Sequence, residues 1–201
     1  YTTLFRSTPA RKNYARYYLH GKHNWVKTLD LNNSFIYKTS EQITDEALEE
    51  TSLKKHPKES VLVAMYGGFN QIGRTGLLKV DASINQALVA ILPKSDILNS
   101  EYLLFNLNFN VDYWKSVASS SRKDPNITSQ DVKNYPIAFS KNLDEQKEIA
   151  QVLTDTDNLI QATEQLINKK QLIKTATMQN LLTGKIRLAE FDTKKTKPSE
   201  L

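Results

Sequence analysis

At 201 residues, 39% hydrophobic and 24% charged, the chain can build one domain with a core plus an appendage, or two small domains. Its longest apolar runs, Val61–Met65 and Ala87–Pro93, are too short to cross a bilayer, and no charged-then-apolar signal opens the sequence. The absence of cysteine excludes a disulfide framework and a thiolate metal site and fits a reducing cytoplasm, while His20, His23 and His56 are too scattered for a metal cluster.

The net charge of +5 is mild, but its placement is uneven. No acid precedes Asp30, whereas Arg6, Arg11, Lys12, Arg16, Lys22 and Lys27 lie there, interleaved with Tyr14, Tyr17, Tyr18 and Trp25. Such a segment attracts polyanions, because neutralising phosphates releases condensed counterions. It is equally the composition of a solvated basic surface. The chain opens on Tyr1 rather than methionine, so the native start is expected to lie upstream.

Short apolar runs then alternate with turn signals. Trp25–Leu29, Phe35–Tyr37, Ser60–Met65, Thr75–Val80 and Ala87–Leu92 read as strands. Ile43–Thr51 reads as a short helix and Asn99–Tyr113 as a longer one with a broad apolar face. Residues 1–140 are therefore expected to form a mixed α/β domain around one core, with no internal repeat.

Beyond Pro136 the period becomes helical. Asn142 and Glu145 suit a capping box, and Gly184 suits a C-cap. Ile149, Val152, Leu153, Leu159, Ile160, Leu166, Ile167 and Ile173 recur as a stripe, much of it at intervals of seven. A helix over Asp144–Thr183 would run roughly 60 Å at 1.5 Å per residue, and its apolar stripe calls for a partner helix. Acids (Asp144, Glu145, Glu148, Asp155, Asp157, Glu164) crowd its first half, and Lys169, Lys170, Lys174, Lys185 and Arg187 its second. Two such helices would match charge when antiparallel and clash when parallel. The fold class expected is α+β: a mixed α/β domain, then a spacer and dimerisation helix over 141–187 paired as an antiparallel coiled coil. The polar stretch 188–201 is expected to be a disordered tail.

Catalytic signatures are missing. No carboxylate spacing suits a metal-dependent nuclease. Asp124-Pro125-Asn126-Ile127 lacks the second proline and the aromatic of an adenine-N6 methyltransferase motif and reads as a turn. The pairs Gly67-Gly68 and Gly73…Gly76 are neither a P-loop nor a dinucleotide fingerprint. Binding chemistry is better represented. In Tyr66-Gly67-Gly68-Phe69-Asn70-Gln71-Ile72-Gly73-Arg74, the glycines admit close backbone approach, and Asn70, Gln71 and Arg74 are side chains that read base edges bidentately. The same string suits a hairpin whose polar residues satisfy only their own turn. Ser120, Arg122 and Lys123 lie in a string suited to phosphates or to a plain loop. Thr8, Arg11, Lys12 and Asn13 form a third candidate, and Asn85-Gln86 reads as a buried structural pair at a strand entrance.

These strings resemble a known family, the specificity subunits of type I restriction–modification systems. Ser7-Thr8-Pro9-Ala10-Arg11-Lys12-Asn13 resembles their Gly-Gly-Thr-Pro-Ser-Arg opening, and Trp25-Val26-Lys27-Thr28-Leu29-Asp30-Leu31 their Trp-Val-Lys-Thr-Gly-Asp-Leu. Met65-Tyr66-Gly67-Gly68 and Ile84-Asn85-Gln86-Ala87 match later strings; Glu145-Gln146-Lys147-Glu148-Ile149-Ala150 opens the spacer helix and 178–188 closes it. Ala10 and Leu29 depart from the usual serine and glycine.

The resemblance implies a target-recognition domain that binds double-stranded DNA, reads half of a split site and has no catalysis or cofactor of its own. Arg11, Lys12, Arg122 and Lys123 would hold phosphates, and Asn70, Gln71 and Arg74 would sample bases, with Thr8, Asn13, Tyr66, Gly68 and Ser120 beside them. Modification (methyltransferase) subunits binding S-adenosylmethionine, and ATP-dependent restriction subunits, would be the partners. Either a second recognition domain lies elsewhere in a longer chain, or two copies pair through the helices. The alternative is an assembly protein that dimerises through the helix and reads no DNA.

Overall fold

The computed structural model describes residues 2–3, 8–68, 70–118 and 126–191. Arg6, Ser120, Arg122, Lys123, the Asp124-Pro125 turn and the polar stretch beyond residue 191 lie outside the described residues. Two compact units divide the chain, Tyr1–Gln151 and Val152–Leu201, and the division between them falls inside the long helix.

The first unit is built on two sheets. Strands β1 (Thr2–Thr3), β2 (His23–Val26), β3 (Phe35–Ile36), β4 (Glu41–Ile43), β5 (Lys55–His56), β6 (Val61–Ala64), β7 (Thr75–Leu78), β8 (Ala82–Ile84) and β9 (Leu88–Ile91) assemble in the orders β1-β9-β6-β7-β3 and β4-β2-β8-β5. The helices of this unit are α1 (Tyr14–Tyr17), α2 (Asp45–Glu50), α3 (Ser100–Phe109), α4 (Val111–Ala118) and α5 (Ser129–Lys133), followed by the start of α6 (Leu143–Leu182).

Strand β6 explains the layering. All four of its residues are buried, because successive side chains point to opposite faces and both faces are covered. Val61, Val63 and Met65 pack with Leu77, Val89 and the α3–α5 side chains Leu103, Leu104, Leu107, Trp114 and Val132. Leu62 and Ala64 pack the other way, with Leu78, Leu88 and Ala90, onto Val26, Ala82 and Ile84 of the second sheet. On the far side of that sheet Trp25 joins Tyr17, Tyr18, Ile43 and Ala47 under α1 and α2. The single core expected from sequence is thus three buried clusters in successive layers.

Several boundaries differ from the sequence expectation for local reasons. The run Trp25–Leu29 stops as a strand at Val26 because the Asp30 carboxylate accepts the Lys27 N–H at 2.8 Å and the Ser40 N–H at 3.1 Å, winding Thr28–Asp30 into a 3-10 turn. Ile43 ends β4, and the helix expected over Ile43–Thr51 starts at Asp45, where the Thr44 hydroxyl caps Ala47 N–H. The helix expected over Asn99–Tyr113 breaks at Asn110, whose N–H and side-chain amide both return to the Asn106 carbonyl.

Helix α6 spans 40 residues. Asn142 Oδ1 caps Asp144 N–H at 2.9 Å, while the arm expected from Glu145 is replaced by Ser140 Oγ accepting the Asn142 N–H at 3.1 Å. Gly184, with φ of 71°, closes the helix through Leu181. None of the described helices is long and apolar enough to cross a membrane.

Candidate nucleic-acid interface

Strand directions bring most of the sequence-derived candidates to one end of the five-stranded sheet. β6 is antiparallel to β7 and β9, with Val63 opposite Thr75 and Ala64 opposite Leu88. The 65–74 loop and the 85–87 turn therefore leave from the same end. Met65 N–H donates to Ala87 O at 2.7 Å, and Ile127 N–H donates to Met65 O at 3.0 Å, tying both segments to the chain after α4. β1 runs antiparallel to β9 toward this end, and the Thr8 hydroxyl donates to Gln86 Oε1. Asn85 N–H donates to Val26 O, so β2 ends here too. Gln86 is exposed rather than buried, which corrects the reading of this pair as an interior one. Its neighbour Asn85 is the structural member, capping Ala87 N–H at 3.2 Å.

Within the loop, Gly67, Gly68 and Gly73 have φ of 122°, 74° and 76°, a region L side chains rarely enter. A Cβ on Gly73 would stand 2.3 Å from Trp114 Cδ1, and one on Gly67 would stand 2.5 Å from Gln71 Oε1. Buried Ile72 and Met65 anchor the loop to the core. Asn70 is exposed, Tyr66, Gly68 and Gln71 are half-buried, and Gln71 folds back over Gly67. Half-buried Arg74 makes no side-chain hydrogen bond or ion pair among the described residues.

The residue after Arg74 is locked from two sides. The Thr75 backbone is bonded twice to Asn33: its N–H donates to the side-chain Oδ1 at 3.0 Å, and its carbonyl accepts the Asn33 N–H at 2.9 Å. The Thr75 hydroxyl donates to Asn108 Oδ1, and Asn108 Nδ2 closes the ring on Asn33 O at 2.7 Å. Neither Asn33 nor Asn108 stands out in the sequence; only the Asn32-Asn33 turn signal hints at the cluster.

Of the described basic residues in the opening, Arg11, Arg16 and Lys27 are ion-paired. The Arg11 guanidinium binds both Glu41 oxygens at 2.8 and 2.7 Å and lies 4.5 Å above the Tyr18 ring, itself stacked on Tyr14. Those hydrogen bonds, with Lys27 at 3.3 Å, hold the Glu41 carboxyl below the usual carboxylate range. Arg16 meets Glu46 at 2.5 Å and Glu50 at 2.6 Å. Lys12 and Lys22 are exposed and ion-paired to none of the described residues; Thr8 is exposed and Asn13 half-buried. No group of three or more His, Cys, Asp or Glu among the described residues is placed to hold a metal.

Along α6 every residue of the expected stripe is exposed: Ile149, Val152, Leu153, Leu159, Ile160, Leu166, Ile167 and Ile173, with Leu159 68% exposed. Thr156 and Thr163 return their hydroxyls to the Val152 and Leu159 carbonyls, which removes two polar donors from the stripe.

Comparison with known proteins agrees with this architecture. Residues 5–171 match the model of the type I restriction modification DNA specificity domain. The chain is 31% identical over 190 residues to the type I restriction enzyme MjaIX specificity subunit of Methanocaldococcus jannaschii, covering 92% of this chain and 39% of that protein. It is 24% identical over 153 residues to the EcoR124I/EcoR124II specificity subunit of Escherichia coli, covering 76% of this chain and 37% of that one. The fold is similar to that of the HsdS subunit from Thermoanaerobacter tengcongensis, with a TM-score of 0.59 at 19% identity, over 82% of this chain and 36% of that one. The chain thus spans about two-fifths of the length of these relatives.

Proposed function

The chain belongs to the family of type I restriction–modification DNA specificity domains, and from that premise we propose that it reads one half of a bipartite site on double-stranded DNA. One observation carries the reading. Thr8, the 66–74 loop and the 85–87 turn converge at one sheet end around Arg74, whose guanidinium has no partner among the described residues. A half-buried guanidinium on a hydrogen-bonded backbone is preorganised for a bidentate contact with guanine, and exposed Asn70 and neighbouring Gln71 for adenine. Lys12 approaches phosphate, and Arg11 does so from a guanidinium already held by Glu41. Arg122 and Lys123 enter as phosphate contacts on their sequence alone.

The α6 stripe pairs antiparallel with a second such helix, from another part of a longer chain or from a second copy, and fixes the distance between two inverted half-sites. The chain itself contributes no catalytic group. Modification subunits with S-adenosylmethionine, and restriction subunits with ATP, supply the chemistry.

The test measures duplex binding by the chain assembled with its modification subunit. Arg74→Ala should weaken binding at one base pair, by about 1–3 kcal/mol, and relax specificity there. Lys12→Ala should weaken all sequences alike and reduce the salt slope by about one. Equal loss on every sequence in both variants removes the base-reading role of Arg74. An assembly with no salt-dependent duplex binding points instead to a protein that only dimerises through its helix.

A further inference from the structure

Phe109 is 88% exposed, more than any other large apolar side chain described. Helix α3 buries Leu103, Leu104 and Leu107, and Phe109, two residues beyond Leu107, lies about 200° around the helix from it. The ring therefore contributes little to the core. Its position is nevertheless closely fixed. Asn108 belongs to the hydrogen-bonded ring with Asn33 and Thr75, and Asn110 ends the helix by returning to Asn106. Phe109 thus sits at a corner one residue from Asn108, just as Arg74 sits one residue from Thr75. The Thr75–Asn108 and Asn108–Asn33 hydrogen bonds hold the C-terminal end of α3 at the sheet end from which the Arg74 loop leaves.

An exposed aromatic on a locked backbone gives up little conformational entropy on binding. Local charge favours a polyanion: Arg74, at the same sheet end, has no ion-pair partner among the described residues, and the acid nearest Phe109 in sequence, Asp112, is paired with Lys115 at 2.8 Å. In the major groove the apolar feature offered by a base edge is the C5-methyl of thymine. Resting on the DNA-reading function above, we propose that Phe109 is a base-contacting residue whose ring meets a thymine methyl of the half-site read at this sheet end.

The experiment uses the chain assembled with its modification subunit and a duplex whose target is defined by mapping the adenines that the complex methylates. Each thymine of the half-site is replaced in turn by deoxyuridine, which lacks only the methyl. The wild-type complex should lose about fourfold in affinity at one position, the worth of one methyl-sized apolar group. Phe109→Ala should bind the cognate duplex about tenfold more weakly, be indifferent to deoxyuridine at that position, and keep the wild-type thermal midpoint. Phe109→Leu should recover part of both effects. A wild-type profile with no methyl-sensitive position, or a Phe109→Ala profile identical to wild type, overturns the proposal while leaving DNA reading intact. Loss of assembly with the modification subunit in the absence of DNA also overturns it, by assigning the ring to a protein contact. A wild-type complex that binds no duplex overturns both proposals.

Discussion

Gly73 and Gly68 separate two costs that a glycine-rich loop usually mixes. Both have left-handed backbones, but a Cβ on Gly68 meets nothing within 4 Å, whereas one on Gly73 enters the Trp114 ring. Gly68→Ala should therefore cost only the backbone term, about 1–2 kcal/mol. Gly73→Ala adds displacement of a fully buried indole that is itself stacked on Tyr135, for a total of about 2–4 kcal/mol. Urea unfolding reads the difference as a larger fall in midpoint at unchanged slope. Equal losses in the two variants would mean that Trp114 does not dictate the glycine. The glycines were legible in the sequence as a tight loop. Their division of labour was not, because Trp114 reaches Gly73 only through the fold of α4.

At the scale of the element, α6 shows which part of a helix a sequence reveals. Its length and stop followed from period and Gly184: the observed span, Leu143–Leu182, lies within one residue at each end of the Asp144–Thr183 read from the periodicity, and ends five residues short of the 187 bound given to the spacer. The face that the first unit buries did not follow, because it is made by Gln146 and Ala150, not by the apolar stripe. Gln146 is fully buried. Its Oε1 accepts Asn99 N–H at 2.8 Å, and its amide donates to Ile97 O at 2.9 Å and Ser140 O at 2.7 Å. Since Asn99 also caps α3, one amide ties the starts of two helices. Gln146→Leu would strand a buried N–H and two carbonyls and should cost about 3–5 kcal/mol. Gln146→Glu tests the geometry by pH. A buried carboxyl facing two carbonyl oxygens has its pKa raised in the folded state. That variant should be most stable below the ordinary carboxylate value of about 4.3 and lose stability as pH rises above it. A Gln146→Glu variant no more pH-dependent than wild type would place this side chain outside the core. Strands β4 and β5 escaped the sequence for a related reason: they are two or three mostly polar residues long and exist through pairing with β2 and β8.

Across the whole molecule, the net charge of +5 does not describe the field a duplex would meet. The acid-free opening is one-sided only along the chain. In space, β4 and α2 return Glu41, Glu46 and Glu50 to Arg11, Lys27 and Arg16. Pairs this exposed contribute little stability, but they consume charge that phosphates would otherwise use. Among the described basic residues of the proposed interface, Lys12 beside the Thr8 segment and Arg74 in the loop make no ion pair, so the cations free to meet phosphates are fewer than the sequence alone would count. Counterion release makes this measurable, since the slope of log affinity against log salt counts only the charges that meet phosphates. Arg16→Ala should leave that slope unchanged, because its guanidinium is already shared by two carboxylates, whereas Lys12→Ala should lower it by about one. Binding isotherms between 50 and 200 mM salt, a range over which about six phosphate contacts change affinity roughly a thousandfold, resolve a difference of one. A fall in slope for Arg16→Ala equal to that for Lys12→Ala would show that DNA displaces Glu46 and Glu50, and that the basic opening acts as a whole.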